Sequence, residues 1–354
     1  MIREQTSKRK QINYCLLFVL CYLFIVLFSC EMPRSGLSES AHYDPDLNAW
    51  RTASWSPFTV NDSITDFTFA NGLYIAVSST GVIAWSDNGD IWHRAKINSN
   101  PNITVKGFNA VCFGNKMFAA AGDGGIFAWS PDGKEWDSGQ MPGFDTNENI
   151  NGIAYGANTF AAVGDNAKVC TSSNGYQWSG GKNASFYDIR LNDVAFDSVS
   201  GRFYAVGDFG NRGWTTTPSG AWNHKAPENP VGTSHITKVT IGRYGSGTGI
   251  GIVYDRKPAI ATNADFSGFD ADVDTFLFNG NAVNGIAWGG DFFVSAGTSA
   301  MIGYWPSGEP SRDVERYWRA LTFPEFSRWE ITALKACNGR FFAGSIGGKI
   351  GYSK

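Results

Sequence analysis

The chain has 354 residues, of which 43% are hydrophobic, 15% aromatic and only 17% charged. This composition supplies a large packed core and excludes an intrinsically disordered chain. The net charge of -3, without a stripe of lysines and arginines, argues against nucleic acid as a partner, because neutralising phosphates requires clustered positive charge. The 42 glycines and 13 tryptophans favour short aromatic strands separated by glycine turns.

Residues 1–30 form a separate unit with the pattern of an export signal. A basic stretch, residues 3–10, precedes an apolar run over residues 14–28, which is short for a membrane span. The sequence Leu27-Phe28-Ser29-Cys30 resembles the bacterial lipobox, in which a small residue precedes a cysteine that is lipidated and becomes the new N-terminus. Phe28 is bulkier than the usual residue there, so an uncleaved signal anchor is the alternative interpretation.

Lipidation at Cys30 predicts a protein of the bacterial cell envelope, attached to a membrane in the periplasm or at the cell surface. Residues 31–47 are polar and contain two prolines and several serines, which predicts a flexible tether. The globular domain is expected over residues 48–354. Three cysteines fall within it, an odd number in different repeats, which favours buried free thiols over a disulfide framework: Cys112, Cys170 and Cys337.

The rest of the chain repeats one pattern. The segment ITDFTFANGLYIAVSSTGVIAWSDNGDIW aligns with FNAVCFGNKMFAAAGDGGIFAWSPDGKEW, and each anchor moves by 44 positions, as from Trp85 to Trp129. Two further clear copies and three weaker ones follow. Each copy opens with an apolar residue, Asn or Thr, any residue and a second apolar residue. These openings begin at Ile64, Phe108, Ile150, Leu191, Ile236, Val283 and Ile331.

Seven openings, each followed by short strand patterns, predict an all-β, seven-bladed β-propeller with four-stranded blades. The last copy ends after its third strand, in IGYSK, whereas an unmatched segment, NAWRTASWSPF, lies before the first copy. We therefore expect an N-terminal strand containing Trp50 or Trp55 to complete the last blade. This strand would close the ring and remove two exposed sheet edges.

Three turns share the pattern S-x-[DN]-G-x-x-W, at residues 86–92, 130–136 and 172–178. They resemble the Asp-box of sialidase-type propellers, shortened by one residue. The whole repeat resembles the sialidase-like and photosystem-assembly-factor-like propeller group, and this resemblance implies a fold rather than an activity. In such a turn Asp or Asn accepts backbone hydrogen bonds, Gly adopts a positive φ angle and Trp fills the gap between sheets, so we interpret these residues as structural.

Catalytic patterns are weak. A sialidase would also need three arginines that clamp a carboxylate, a tyrosine–glutamate pair and an aspartate acid/base, but only Arg190 and Arg328 lie just before first strands. The four histidines are scattered without metal-ligand spacing. The alternating aspartates from Asp270 to Asp274 lack the glycine and glutamate of a calcium loop. The sequence leaves catalysis open but favours a non-enzyme, with no catalytic residues, metal site or cofactor.

The second residue of each opening is polar in all seven copies. Because first strands line the axis of a propeller, these residues are expected to form a ring near one mouth of the central channel. The ring either binds a ligand or ordered water, or caps backbone groups and bridges adjacent blades. Its members are Thr65, Asn109, Asn151, Asn192, Thr237, Asn284 and Thr332.

Asp123, Asp165 and Asp208 occupy equal positions in the turn between second and third strands. They predict an acidic arc on the face of the inter-blade loops, with solvated turn residues as the alternative. Trp329, just before the last first strand, is interpreted either as an exposed aromatic anchor or as packing across the closure seam. These four residues are the candidate binding face.

The sequence therefore predicts a non-catalytic envelope lipoprotein whose rigid propeller acts as a protein-binding or assembly scaffold. The alternative is a glycan-active, sialidase-like hydrolase or a lectin that uses the same loop face. The partner is accordingly a protein or a glycan, together with the membrane that holds the lipid.

Overall fold

A computed structural model describes residues 49–225, 231–244, 247–267, 269–270, 281–289, 292–306, 319–321, 326 and 328–354. The predicted signal segment with Cys30, the tether over residues 31–47, and Asp272 and Asp274 lie outside the described residues. Within the described ranges, no helix is both long and apolar enough to cross a membrane.

The first strands of the chain form blades 1 and 2, apart from β1. Strand β1 (Trp50–Thr52) comes first and belongs to the last blade. Blade 1 contains β2 (Ile64–Ala70), β3 (Leu73–Ser78), β4 (Ile83–Ser86) and β5 (His93–Arg94). Strand β6 (Lys96–Ile97) adds a parallel outer strand to blade 2. Blade 2 itself contains β7 (Phe108–Gly114), β8 (Met117–Gly122), β9 (Ile126–Ser130) and β10 (Glu135–Gln140).

The next three blades follow the same order. Blade 3 contains β11 (Ile150–Gly156), β12 (Thr159–Gly164), β13 (Lys168–Ser172) and β14 (Ser179–Lys182). Blade 4 contains β15 (Leu191–Asp197), β16 (Arg202–Gly207), β17 (Arg212–Thr215) and β18 (Asn223–Lys225). Blade 5 contains β19 (Ile236–Tyr244), β20 (Gly247–Tyr254), β21 (Lys257–Ala261) and β22 (Phe269–Asp270).

The last two blades complete the ring. Blade 6 contains β23 (Val283–Gly289), β24 (Phe292–Gly297), β25 (Ile302–Pro306) and β26 (Arg319–Leu321). Blade 7 contains β27 (Ile331–Cys337), β28 (Arg340–Ser345), β29 (Ile350–Ser353) and β1. Short 3-10 turns are Asp123–Gly125, Asp165–Ala167, Ala184–Phe186, Asp208–Gly210 and Thr298–Ala300. The predicted all-β, seven-bladed propeller with four-stranded blades is confirmed, and every predicted opening is the first residue of an innermost strand.

A bulge explains the opening pattern. In blade 1, Ile64 pairs with Ser78 but Asp66 pairs with Val77, so Thr65 is an extra residue without a cross-strand partner. The same shift follows the first residue of every innermost strand. A bulge redirects the side chain of its extra residue. This side chain is therefore available to reach the neighbouring blade.

Tryptophans and glycines hold neighbouring blades together. Trp136 is fully buried, lies with Ile75 of blade 1 in one apolar cluster, and donates its Nε1 hydrogen to Gly133 O at 3.0 Å. The ring of Tyr155 from blade 3 packs directly on Gly114, the last residue of β7. A Cβ atom on Gly114 would lie only 2.0 Å from that ring. Large rings on one blade thus require an absent side chain on its neighbour.

The turn that precedes Trp136 is self-contained. Asp132 Oδ1 accepts hydrogen bonds from the backbone N–H groups of Lys134 at 2.9 Å and Glu135 at 3.0 Å, and Gly133 has a φ of 73°. Burial raises the pKa of Asp132, but these hydrogen bonds lower it by more than burial raises it, so the net shift of the pKa is downward. These contacts stabilise the turn itself.

The N-terminal strand completes blade 7, as predicted. Strand β1 pairs antiparallel with β29, with Trp50 opposite Ser353. The side chain of Trp50 is 5% exposed and packs against Phe326 with a ring separation of 6.2 Å, whereas Trp55 is 53% exposed. Trp50 is therefore the tryptophan that joins the core of the closing blade. The three cysteines of the domain are free thiols.

Replacement of the two N-terminal tryptophans should separate closure from surface effects. We expect Trp50→Ala to lower the free energy of unfolding by about 3–5 kcal/mol, because it leaves a large cavity in blade 7. Trp55→Ala should change it by less than about 0.5 kcal/mol, because that ring is exposed. Urea denaturation followed by circular dichroism measures both changes, and equal losses in the two variants would contradict this account of closure.

Candidate functional site

The predicted polar ring joins neighbouring blades. Asn109 donates an Nδ2 hydrogen to Ile150 O at 3.0 Å, Asn151 to Leu191 O at 2.8 Å, and Asn192 to Ile236 O at 2.9 Å. Thr65, Asn284 and Thr332 make the same contact with Phe108 O, Ile331 O and Ile64 O, at 2.7, 2.9 and 2.7 Å. Thr237 instead donates to Val253 O of its own blade, at 3.4 Å. Six of the seven ring residues therefore bridge to the first strand of the next blade.

The three predicted aspartates hold the ring asparagines in one orientation. Asp123, Asp165 and Asp208 accept the second Nδ2 hydrogen of Asn109, Asn151 and Asn192, at 3.0, 3.1 and 2.8 Å respectively. Because both partners of each amide nitrogen are acceptors, the nitrogen is fixed and the amide oxygen lies on the other side. The two sequence patterns, the ring and the acidic turn, thus form one hydrogen-bonded arrangement in blades 2, 3 and 4.

These turns lie on the same face as the loops that precede the first strands. The backbone N–H groups of the three aspartates donate to the carbonyl oxygens of Gly107, Asn149 and Arg190, at 3.1, 3.0 and 3.0 Å. Ile346 of blade 7 makes the equivalent bond to Glu330 O at 3.0 Å. We call the surface formed by these turns and loops the loop face.

Basic side chains lie against two of the three aspartates. Arg190 Nε lies 3.3 Å from Asp165 Oδ1, and its Nη2 donates to Asn151 Oδ1 at 3.1 Å. His235 Nδ1 lies 2.9 Å from Asp208 Oδ1. Both aspartates are 23% exposed, whereas Arg190 and His235 are about half exposed, at 52% and 51%. This part of the loop face is therefore a mixture of acceptors and donors rather than a bare negative arc.

A pocket of about 490 Å³ opens where blades 2 to 5 meet on the loop face. It unites four ring residues with one predicted aspartate and with three residues that carry donors. We call it the mouth pocket, and its lining residues are Asn109, Asn151, Arg190, Asn192, Asp208, His235, Thr237 and Lys238. Sequence reasoning missed His235 and Lys238, although both flank the opening residue of blade 5, Ile236.

Trp329 does not belong to the exposed surface, which corrects its assignment to the binding face. Its side chain is 6% exposed and packs edge-on against Phe326 at 4.4 Å. It shares an apolar cluster with Trp50, so it packs within the closing blade. An aromatic residue that precedes a strand can point inward as readily as outward, and the local sequence does not distinguish the two directions.

A smaller cavity of about 50 Å³ lies in the channel and shares Lys238 with the mouth pocket. First-strand residues of six blades line it, as expected for a propeller axis. Lys335 Nζ lies 3.4 Å from Asp66 Oδ1, and Asp66 raises the pKa of Lys335. Burial raises the pKa of Asp193, whose Oδ2 accepts the backbone N–H of Val239 at 3.0 Å. Charged side chains of both signs therefore line the channel.

Metal chemistry has no visible framework in the part of the chain that the structure describes. No group of three or more His, Cys, Asp or Glu side chains there is arranged to hold a metal ion. Burial raises the pKa of the Cys170 thiol to about 12, so this cysteine is a poor nucleophile at neutral pH. Arg190, one of the two arginines considered for a carboxylate clamp, is bound to Asp165.

Comparisons with known proteins identify the fold and leave the family open. No protein-family model and no curated protein matches the sequence. Among solved structures, YCF48 from Cyanidioschyzon merolae is 17% identical, with a TM-score of 0.63 over 86% of this chain and 98% of that one. A structure of YCF48 bound to D1 peptide is 13% identical, with a TM-score of 0.66 and coverages of 87% and 97%. The WD40 propeller domain of Doa1 is 10% identical, with a TM-score of 0.61 and coverages of 86% and 97%.

A buried carboxylate positions one of the loop-face turns. The side chain of Glu148 is 8% exposed, pairs with Lys168, and accepts hydrogen bonds from Asn166 Nδ2 at 2.6 Å and Asp145 N at 2.7 Å. Burial raises the pKa of Glu148, but the hydrogen bonds from Asp145, Lys168 and Asn166 outweigh it and hold the pKa below its ordinary value of 4.5. A lowered folded-state pKa contributes stability above the unfolded value and loses it as the pH falls.

We therefore expect Glu148→Gln to lower the free energy of unfolding at pH 7 by about 1.5–3 kcal/mol, because Lys168 loses its buried partner and keeps only the exposed carboxylate of Asp145, 3.8 Å away. The difference from wild type should shrink as the pH falls from 4.5 through the folded-state pKa. Urea denaturation at a series of pH values measures this. Glu135→Gln, at a 61% exposed ion pair with Lys96, should change stability by less than about 0.5 kcal/mol. A pH-independent loss for Glu148→Gln would contradict the proposed linkage.

Proposed function

We propose that this protein is a non-catalytic, membrane-anchored scaffold whose mouth pocket binds a segment of a protein partner. The observation that carries the proposal is the pocket itself: one concave site of about 490 Å³ on the loop face, with polar groups converging from four neighbouring blades. A propeller of the same fold, YCF48, has been solved with D1 peptide bound, which supports a peptide as the class of ligand. The identity to that propeller is 13%, so the support is by analogy of fold.

The pocket offers both kinds of hydrogen-bonding group that a peptide backbone needs. Arg190 and Lys238 can donate to carbonyl or carboxylate oxygens. The amide oxygens of Asn109 and Asn192 can accept from N–H groups, and among the described residues no donor reaches either oxygen. The sheets behind these groups are rigid, so little ordering is required on binding.

The Asp-box-like turns support membership of the sialidase-like and assembly-factor-like propeller group. In the three matching turns the Asp or Asn side chain accepts two backbone hydrogen bonds, and the Trp Nε1 donates to the Gly carbonyl oxygen. These contacts account for the motif by folding alone.

Lipidation at Cys30 is the proposed means of attachment to the bacterial envelope, with residues 31–47 as the tether. The chain enters the propeller at Trp50, which lies opposite Ser353. That end of β29 is the one farther from the turn that contacts the loop face through Ile346. The chain therefore enters the propeller on the side opposite the loop face.

The scaffold proposal is tested by crosslinking and mass spectrometry of the full-length protein in its native envelope. We expect a specific protein partner in the wild type and at least about a tenfold loss of its crosslinks after the double change Arg190→Gln and Lys238→Gln, which removes two donors from the pocket. The matched control is Lys96→Gln with Lys134→Gln, two exposed cations outside the pocket.

Retention of the same partner by both double variants would contradict the site. Absence of any partner, together with binding of the wild type to an immobilised glycan, would contradict the scaffold itself and favour the lectin alternative.

The anchor is tested by Cys30→Ser, which removes the acceptor for the lipid. We expect the wild type in the membrane fraction and the variant, if it is exported, in the soluble fraction, because stable attachment requires buried acyl chains. Metabolic labelling with a radioactive fatty acid measures lipidation directly, and Cys112→Ser, a change within the domain, serves as the control. Equal labelling of wild type and Cys30→Ser would contradict the anchor.

A further inference from the structure

Phe209 is an exposed aromatic residue in a backbone conformation that phenylalanine rarely adopts. Its side chain is 55% exposed, and its φ and ψ angles are 56° and 37°, in the left-handed region. It occupies the middle of the turn Asp208–Gly210 on the loop face. Residues other than Gly, Asn and Asp are disfavoured in this region, bulky ones most of all, and where a bulky residue adopts it the position often belongs to a functional site.

Blades 2, 3 and 6 carry smaller residues at this position. Gly124 occupies it in blade 2 with a φ of 66°, Asn166 in blade 3 with 56°, and Ser299 in blade 6 with 57°. The fold therefore requires the left-handed conformation in each of these blades but requires phenylalanine in none of them. The turn itself does not explain a large apolar side chain at this exposed position.

The position of Phe209 supplies an explanation. Its ring lies 5.1 Å from the ring of His235, which lines the mouth pocket. Asp208 binds His235 Nδ1 at 2.9 Å and Asn192 Nδ2 at 2.8 Å, so the neighbouring residue ties the turn to the pocket wall. The two rings together form an apolar rim beside a pocket whose remaining lining is polar and charged.

We propose that Phe209 is the apolar anchor of the mouth pocket for an extended peptide segment of the partner. An apolar side chain of that segment packs against Phe209 and His235. The peptide backbone meets the free amide oxygens of Asn109 and Asn192 and the guanidinium of Arg190. This inference rests on the proposed function and deepens it, because it assigns the chemistry of the bound segment.

A peptide fits this combination better than a polar ligand does. Phenylalanine carries no hydrogen-bonding atom, and Nδ1 of the adjacent His235 is already bound to Asp208. The rim therefore favours contact with an apolar side chain of the ligand, while the pocket beside it offers hydrogen-bond donors and acceptors. Aromatic and arginine side chains are typical of the residues that contribute most to protein–protein binding.

The test uses a displayed library of random linear peptides, selected on the full chain. Dissociation constants of the selected peptides are then measured by fluorescence anisotropy for wild type and Phe209→Asn, a change that introduces the residue of blade 3. We expect the peptides to share an apolar residue and Phe209→Asn to bind them at least about tenfold more weakly. Its thermal midpoint should hold or rise by up to roughly 2 °C, because asparagine suits the turn.

The matched control is Tyr176→Asn, which removes another exposed aromatic side chain, 43% exposed, from a turn between third and fourth strands. It should bind the peptides as the wild type does. Equal binding by wild type and Phe209→Asn overturns the anchor but leaves the scaffold proposal intact. Equal losses of binding in Phe209→Asn and Tyr176→Asn indicate non-specific adsorption and also overturn the anchor. If no peptide is selected, both the anchor and the proposed function are contradicted. Binding of a glycan by the wild type that is lost in Phe209→Asn would then assign the site to a sugar.

Discussion

The hydrogen bond from one blade to the first strand of the next is the contact on which the ring depends. Asn151 illustrates it: the bulge in β11 releases its side chain from the ladder, and Nδ2 then reaches Leu191 O of blade 4. This bond joins innermost strands, where the blades converge and where a small displacement would open the channel. The repeated Asn or Thr is therefore explained by geometry, since both side chains are short and carry a donor.

The seam between blades 7 and 1 is crossed by residues 53–63, which connect β1 of blade 7 to β2 of blade 1, and side-chain contacts reinforce it. Thr332 repeats the standard bridge by donating to Ile64 O, and Lys335 adds an ion pair with Asp66 in the channel. At the rim, Asp90 accepts hydrogen bonds from Ser54 of the N-terminal segment, at 2.8 and 3.0 Å. Inner, axial and outer contacts thus secure the joint, which explains why the final blade can combine both ends of the chain.

The fold was predictable from the sequence because the repeat specifies it seven times, and an error in one copy is corrected by the others. The site was predictable only in part. The ring and the acidic turns followed from recurrence, but their mutual hydrogen bonds depend on a bulge that no single strand pattern reveals. The sequence could not decide between an exposed and a packed Trp329, because its burial depends on contacts with Phe326 and Trp50. Phe209 was missed because its distinction lies in a φ angle of 56°.

Repetition also separates structural residues from binding residues. Where most copies agree, as in the Asn and Thr bridges, the side-chain donors are occupied by the ring, so these residues offer a ligand mainly their oxygen atoms. Where copies differ, the fold tolerates several residues, and the choice in one blade is free to serve another purpose. Arg190, His235 and Lys238 differ from their counterparts in the other blades, and all three line the mouth pocket. Phe209 extends the same rule, because it occupies a turn that glycine or asparagine would fill with less strain. We therefore propose that the departures from the repeat contribute most to the recognition of a partner, on the frame that the repeat provides.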